Sequence, residues 1–124
     1  MNNGCVLLFH VEKSKQKQIA ELCRQLGFTP AIVPKRQYGE SLGALARIDG
    51  IPKTGKVYEG EELSREMMVF SGIGSEALDL FLEKYREKGI EPVDLKAVLT
   101  PGNIFWDVVT LFEELEKEHR AFHK

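Results

Sequence analysis

A chain of 124 residues, 43% hydrophobic and 29% charged, suits one globular domain with its own core, which excludes disorder and fibrous or low-complexity designs. Two cysteines, Cys5 and Cys23, are too few for a disulfide framework and lack metal-site spacing, so they read as buried thiols in a reducing compartment. The net charge of −2 hides a polarity: residues 1–58 carry nine Lys and Arg against four Asp and Glu, residues 59–124 eight against fifteen, which points to attraction within the fold or across a homodimer ahead of nucleic acid.

Cys5-Val6-Leu7-Leu8-Phe9-His10-Val11 forms an apolar run of strand length. No basic region precedes it and no apolar run approaches a membrane span, so neither a signal peptide nor membrane insertion is expected, and the location is cytoplasmic by elimination. A helix follows from about Ser14, a usable N-cap, with Ile19, Leu22, Cys23 and Leu26 on one stripe. Gly27 stops it in a left-handed position, Phe28 folds back on the last turn, and Ala31-Ile32-Val33 makes a short edge strand cut off by Pro34.

Residues 34–66 form a connecting segment in which Ser41 to Ile48 has the pattern of two helical turns. The remainder, with Gly50, Pro52, Gly55 and Gly60, reads as a surface connection, or alternatively as a lid over a site.

The second half repeats the first. Met67-Met68-Val69-Phe70 is an apolar strand, and Ser71-Gly72-Ile73-Gly74-Ser75 turns into a helix with Leu78, Phe81, Leu82 and Tyr85 on one stripe. Gly89 ends that helix, and Val93 to Leu99 is a strand in which Asp94 and Lys96 alternate with apolar neighbours. Val11 to Gly27 and Ile73 to Gly89 span the same distance, and a proline follows each glycine by three. The chain closes with its longest helix, about 103–122, striped by Ile104, Val108, Leu111 and Leu115. One domain over 1–124, with units 5–33 and 67–99, gives a ferredoxin-like four-stranded sheet plus the C-terminal helix; the alternative is a small parallel doubly wound sheet. Both put the first and third strands at the centre.

The stretch from Leu95 to Asp107 concentrates the most suggestive chemistry. Thr100 or Asn103 caps the helix, free N–H groups there attract an anion, Lys96 adds charge and Trp106 a stacking face. These four are the candidate ligand-binding residues, weighed against an ordinary cap beside a core tryptophan. Ser71 to Ser75 lacks the third glycine of a dinucleotide fingerprint and reads as a tight turn. His119 and His123 share a helix face but lack a third ligand, and Cys23 sits on a buried stripe, so no metal and no catalytic nucleophile is assigned. Lys13, Lys15 and Lys17 crowd a helix start, a mild flag for anion contact.

Met68-Val69-Phe70-Ser71-Gly72, the helix with Glu76, Leu78, Asp79 and Phe81, and Leu95-Lys96-Ala97-Val98-Leu99-Thr100-Pro101 with Asn103 and Trp106 resemble a bacterial family catalogued as domain of unknown function 3783. The resemblance covers about residues 66–119, with Glu118-His119 matching the family's ending. Gly102 stands where Thr is usual, and Gly74 replaces a Ser. The resemblance implies a bacterial protein of that family and brings no activity, cofactor or partner with it. The expectation from the residues is therefore a non-catalytic binding or regulatory module for an anionic small molecule or a protein partner, with no cofactor. The alternative is a small enzyme whose site lies under residues 34–66 or at a dimer interface.

Overall fold

The computed structural model describes residues 4–122; His123, and with it the His119/His123 pair, lies outside the described residues. Uniform apolarity places β1 (Cys5–Phe9) and β3 (Met67–Ser71) at the centre of a four-stranded sheet, flanked by β2 (Thr29–Val33) and β4 (Leu95–Val98) in the order β2-β1-β3-β4. Every residue of β3 is buried, as a strand covered on both faces requires. Helices α1 (Lys13–Leu26) and α3 (Ser75–Glu87) cover one face over Val6, Leu8, Met68 and Phe70. The short α2 (Leu42–Leu45) and the C-terminal α4 (Val108–Phe122) cover the other over Leu7, Phe9, Met67 and Val69. Among the described residues no helix is long and apolar enough to cross a membrane.

The expected strand-helix-strand units and C-terminal helix are present, but the strand order differs from the ferredoxin-like interleaving and from the all-parallel alternative. Each unit keeps its own second strand as immediate neighbour, β1 with β2 and β3 with β4 in parallel, and the units meet through antiparallel β1 and β3. Short connections favour this arrangement: only Gly27 and Phe28 separate α1 from β2, which returns beside the strand its helix covers.

The repeat is real in three dimensions. Gly27 at φ 83° and Gly89 at φ 68° occupy left-handed positions that glycine adopts freely. At the first, Gly27 N–H donates to Arg24 and Phe28 N–H to Cys23; at the second, Gly89 donates to Arg86 and Ile90 to Tyr85. Corresponding residues stand 62 apart, and so do Leu7 and Val69, which face each other at the middle of the β1–β3 ladder. A local two-fold axis therefore passes between those two residues and leaves α1 and α3 on the same face. The units differ in one respect: Thr29 pairs with Cys5, whereas Met67 pairs with Leu95, four residues later than the repeat would place its partner.

Both sheet edges are poor templates for further pairing. Thr29 N–H donates to Gly4, so the alternating backbone of β2 turns Pro30, Ile32 and Pro34 outward, and two of those three lack an N–H. At β4 the outward positions are Lys96 and Val98, and the Val98 carbonyl is taken by the Asn103 side chain at 3.1 Å.

Three local expectations are corrected. Glu12, not Ser14, caps α1: its carboxylate accepts Ser14 N–H at 2.8 Å and Lys15 N–H at 3.2 Å, and these bonds hold its pKa below the usual range. The crowded lysines are partly internal, since Lys15 pairs with Glu66 and donates to the Pro92 carbonyl at 2.9 Å. The C-terminal helix begins at Val108, five residues after Asn103. Asp107 caps it by accepting Thr110 N–H at 2.9 Å, while Phe105 is 74% exposed and outside it.

Residues 34–66 are not merely a surface connection. Tyr38, Leu42, Leu45 and Leu63 are buried in the second core. The α2 helix is a single turn capped by Ser41, whose Oγ accepts Ala44 N–H at 3.2 Å. Glu40, 3% exposed, accepts Thr54 N–H at 2.7 Å, Thr54 Oγ1–H at 3.1 Å and Gly55 N–H at 2.8 Å. The Thr54 backbone bond leads the effects that lower its pKa, against the opposing effect of burial. A carboxyl lowered by folding stabilises the fold above its unfolded pKa, roughly 4.3, and loses that contribution as pH falls through the lower folded value. Urea midpoints measured across pH 3 to 6 are therefore expected to fall on the acid side, with Glu40→Gln flattening part of that limb; an unchanged limb in the variant would show that Glu40 does not contribute to it.

Candidate functional site

The four residues singled out from sequence do not form one site. Thr100 and Asn103 do meet: Asn103 Oδ1 accepts Thr100 N–H at 2.8 Å, and Thr100 Oγ1 accepts Gly102 N–H at 3.2 Å. These bonds close a turn on itself instead of capping a helix. Lys96 stands opposite Met68 on the face covered by α1 and α3, where its ammonium donates to the Val93 carbonyl at 3.0 Å. Trp106 is half-buried against the second core, on the other face of the sheet.

The turn has a different use. The carbonyls of Trp106 and Ile104 accept the N–H groups of Leu42 and Gly43, each at 2.8 Å, filling the otherwise unpaired donors of α2. Ser41 bridges Asp107, and Val108 N–H donates to the Tyr38 carbonyl at 3.2 Å. The segment from Thr100 to Val108 is a clip that holds residues 38–46 on the sheet.

The segment held down by that clip walls a groove of about 540 Å³ along the outer edge of β2. Its lining includes Cys5, Thr29 and Ile32, and three cations border it: Arg36 from the 3₁₀ turn Lys35–Gln37, Arg47 just past α2, and Lys53. Among the described residues no carboxylate or histidine lines it. Among the described residues none of these three cations is in an ion pair, although Lys53 donates to the Gln37 side chain at 3.3 Å. The nearby acid Glu40 is committed to Thr54 and Gly55, next to Lys53. The Cys5 thiol is held up in pKa by burial, partly offset by the Arg47 guanidinium, so it stays neutral.

Arg47 is placed at some cost. It sits at φ 60° in the left-handed position that closes α2, with Arg47 N–H to Ala44 at 3.1 Å and Ile48 N–H to Gly43 at 2.9 Å. Glycine fills such a position without strain, while an L-residue there costs roughly 1 kcal/mol or more. His10, at the same φ, is the other described non-glycine in this region; the repeat places Gly72 in its equivalent position at φ 69°. His10 Nδ1 reaches Glu62 at 3.0 Å. With Lys15–Glu66, this pair joins the basic half of the chain to the acidic half inside one fold.

Residues 66–122 match the family model described as a domain of unknown function (DUF3783). The match takes in the second unit, the clip and α4, so the resemblance over this part of the chain stands. The groove lies outside it: every residue of its lining precedes residue 66. No curated protein and no solved structure matches the chain. Among the described residues no cluster of three or more His, Cys, Asp or Glu is arranged to hold a metal.

Sequence reasoning missed Arg36, Arg47 and Lys53 because they belong to no motif. The one signal available was the excess of positive charge in residues 1–58.

Proposed function

We propose that this protein is a non-catalytic binding module for an anionic small molecule, held in the groove between β2 and the 34–53 segment. The reading rests on three cations around one concavity, none of them in an ion pair among the described residues, with only Lys53 near a carboxylate, that of Glu40. Unpaired cations with exposed heads carry an unsatisfied demand for negative charge, and guanidinium groups meet carboxylates and phosphates through paired N–H donors. The groove lies beneath the connecting segment, where an enzyme site was the alternative. It offers no acid–base pair and a neutral thiol, which favours binding over catalysis. Two free, buried or half-buried thiols suit a reducing compartment such as the cytoplasm.

The test is thermal unfolding with inorganic pyrophosphate and with citrate, on wild type and Arg47→Gly. A ligand held at about a hundred times its Kd stabilises the fold by about 2.7 kcal/mol, a shift of several degrees. Arg47→Gly is expected to lose that shift while its own midpoint holds or rises, since glycine relieves the left-handed strain by about 1 kcal/mol. Absence of a shift in wild type with either anion, or an undiminished shift in Arg47→Gly, would sink the reading.

A further inference from the structure

The four residues by which the second unit departs from the first open a separate cleft. In the first unit β2 starts directly after the helix cap, and Phe28, 5% exposed, packs its ring 6.1 Å from that of Phe81. In the second unit residues 91–94 intervene before β4, and Ile90 stands where Phe28 does in the first. Between α3 and β4 this leaves a cleft of about 270 Å³. Its walls are aliphatic, from Met68, Leu82, Ile90 and Val93, with the Tyr85 ring beside them. The Tyr85 hydroxyl is turned away to the Glu91 carbonyl, and its pKa is pushed up to about 12 by burial and then by Glu66 and Glu91, so it remains a neutral phenol.

Two cations border this apolar space. Arg86, on the last turn of α3, is exposed and in no ion pair among the described residues. Lys96 spends one N–H on the Val93 carbonyl and keeps two for a ligand. An apolar cleft with a few polar groups placed at its border is the usual form of a small-molecule site, and this volume falls just below the usual range, which limits it to a small ligand. Flexible methionine and leucine walls accept an aliphatic chain, and the paired cations select a negative head.

We infer that the cleft between α3 and β4 binds a small amphipathic carboxylate, its alkyl chain against Met68 and Leu82 and its head between Arg86 and Lys96. This site is independent of the groove at β2: it uses other residues, another sheet edge and an apolar lining.

Octanoate is the probe, and methionine methyl groups labelled with carbon-13 are the reporter. Met68 lines the cleft, whereas its neighbour Met67 belongs to the core on the opposite face. Octanoate is expected to move the Met68 methyl resonance saturably and leave that of Met67 in place. Removing one charge-assisted contact with Lys96→Gln should weaken binding by about tenfold or more, and octan-1-ol should bind more weakly than octanoate by a similar factor. Leu82→Phe, a half-buried position that tolerates a larger side chain better than the core does, should fill the cleft and abolish the shift with the fold intact by circular dichroism. No Met68 shift at millimolar octanoate, equal binding of octanoate and octan-1-ol, or unchanged binding in Lys96→Gln would each overturn the assignment.

Discussion

Tyr38→Ala is expected to destabilise the protein by about 3–5 kcal/mol, the usual loss when a buried aromatic side chain is truncated and the core relaxes only partly. Tyr38 is fully buried, its ring 6.1 Å from Phe9 in an edge-on contact and 5.6 Å from Tyr58. Its carbonyl also accepts the first N–H of α4. One residue thus joins the connecting segment to β1 and to the C-terminal helix. Tyr38→Phe is expected to behave differently. The hydroxyl is buried and makes no hydrogen bond of good geometry among the described residues, and burial followed by the Glu62 carboxylate pushes its pKa well above the ordinary range. Removing a polar atom that lacks a well-formed bond, with the Glu62 carboxylate its nearest acceptor, while keeping the ring changes stability by at most about 1 kcal/mol. Urea titrations of both variants decide the matter. A loss in Tyr38→Phe approaching that of Tyr38→Ala would mean that the hydroxyl, and not the ring, holds the segment down.

Gly43→Ala is the second large effect, and its sign is the informative part. Alanine is the better helix former by about 1 kcal/mol, so α2 taken alone would gain. A Cβ at Gly43, however, would stand 2.8 Å from Ile104 Cγ1, 2.8 Å from Ile51 Cδ1 and 3.0 Å from the Ile104 carbonyl oxygen. The isoleucine side chains can shift. The carbonyl cannot, because it accepts Gly43 N–H and anchors the clip. Overpacking of this kind costs roughly 1–3 kcal/mol, so a net loss of about 1–2 kcal/mol is expected. Hydrogen exchange at the Leu42 and Gly43 amides should accelerate together, and Arg47, one turn further on, should lose its place in the groove. A more stable Gly43→Ala protein with protected amides would show that the Ile104 to Trp106 segment does not grip α2.

The local elements are legible in the amino-acid sequence because their causes are local. Leu7, Leu8, Val69 and Phe70 form runs that suit strands buried on both faces; Ile19, Leu22 and Cys23 recur at helical spacing; Gly27 and Gly89 stand where only a left-handed residue ends a helix. Even the internal repeat is readable from those glycines and the prolines after them. The Thr-Pro-Gly-Asn turn shows the limit. Its residues are equally suited to cap a helix or to close on themselves, and the choice depends on Leu42 and Gly43, more than fifty residues earlier, whose N–H groups need the carbonyls of Trp106 and Ile104.

The sequence by itself determined a mixed α/β domain, two strand-helix-strand units, buried central strands and a docked last helix. Tertiary structure alone decided that β2 lies beside β1, that Lys96 and Trp106 stand on opposite faces of the sheet, and that Arg36, Arg47 and Lys53 border one groove. The physical reason is common to all three. Periodicity and caps record what a residue needs within a few neighbours, whereas strand order and the meeting of distant charges depend on how whole elements pack, and many orders satisfy the same buried pattern.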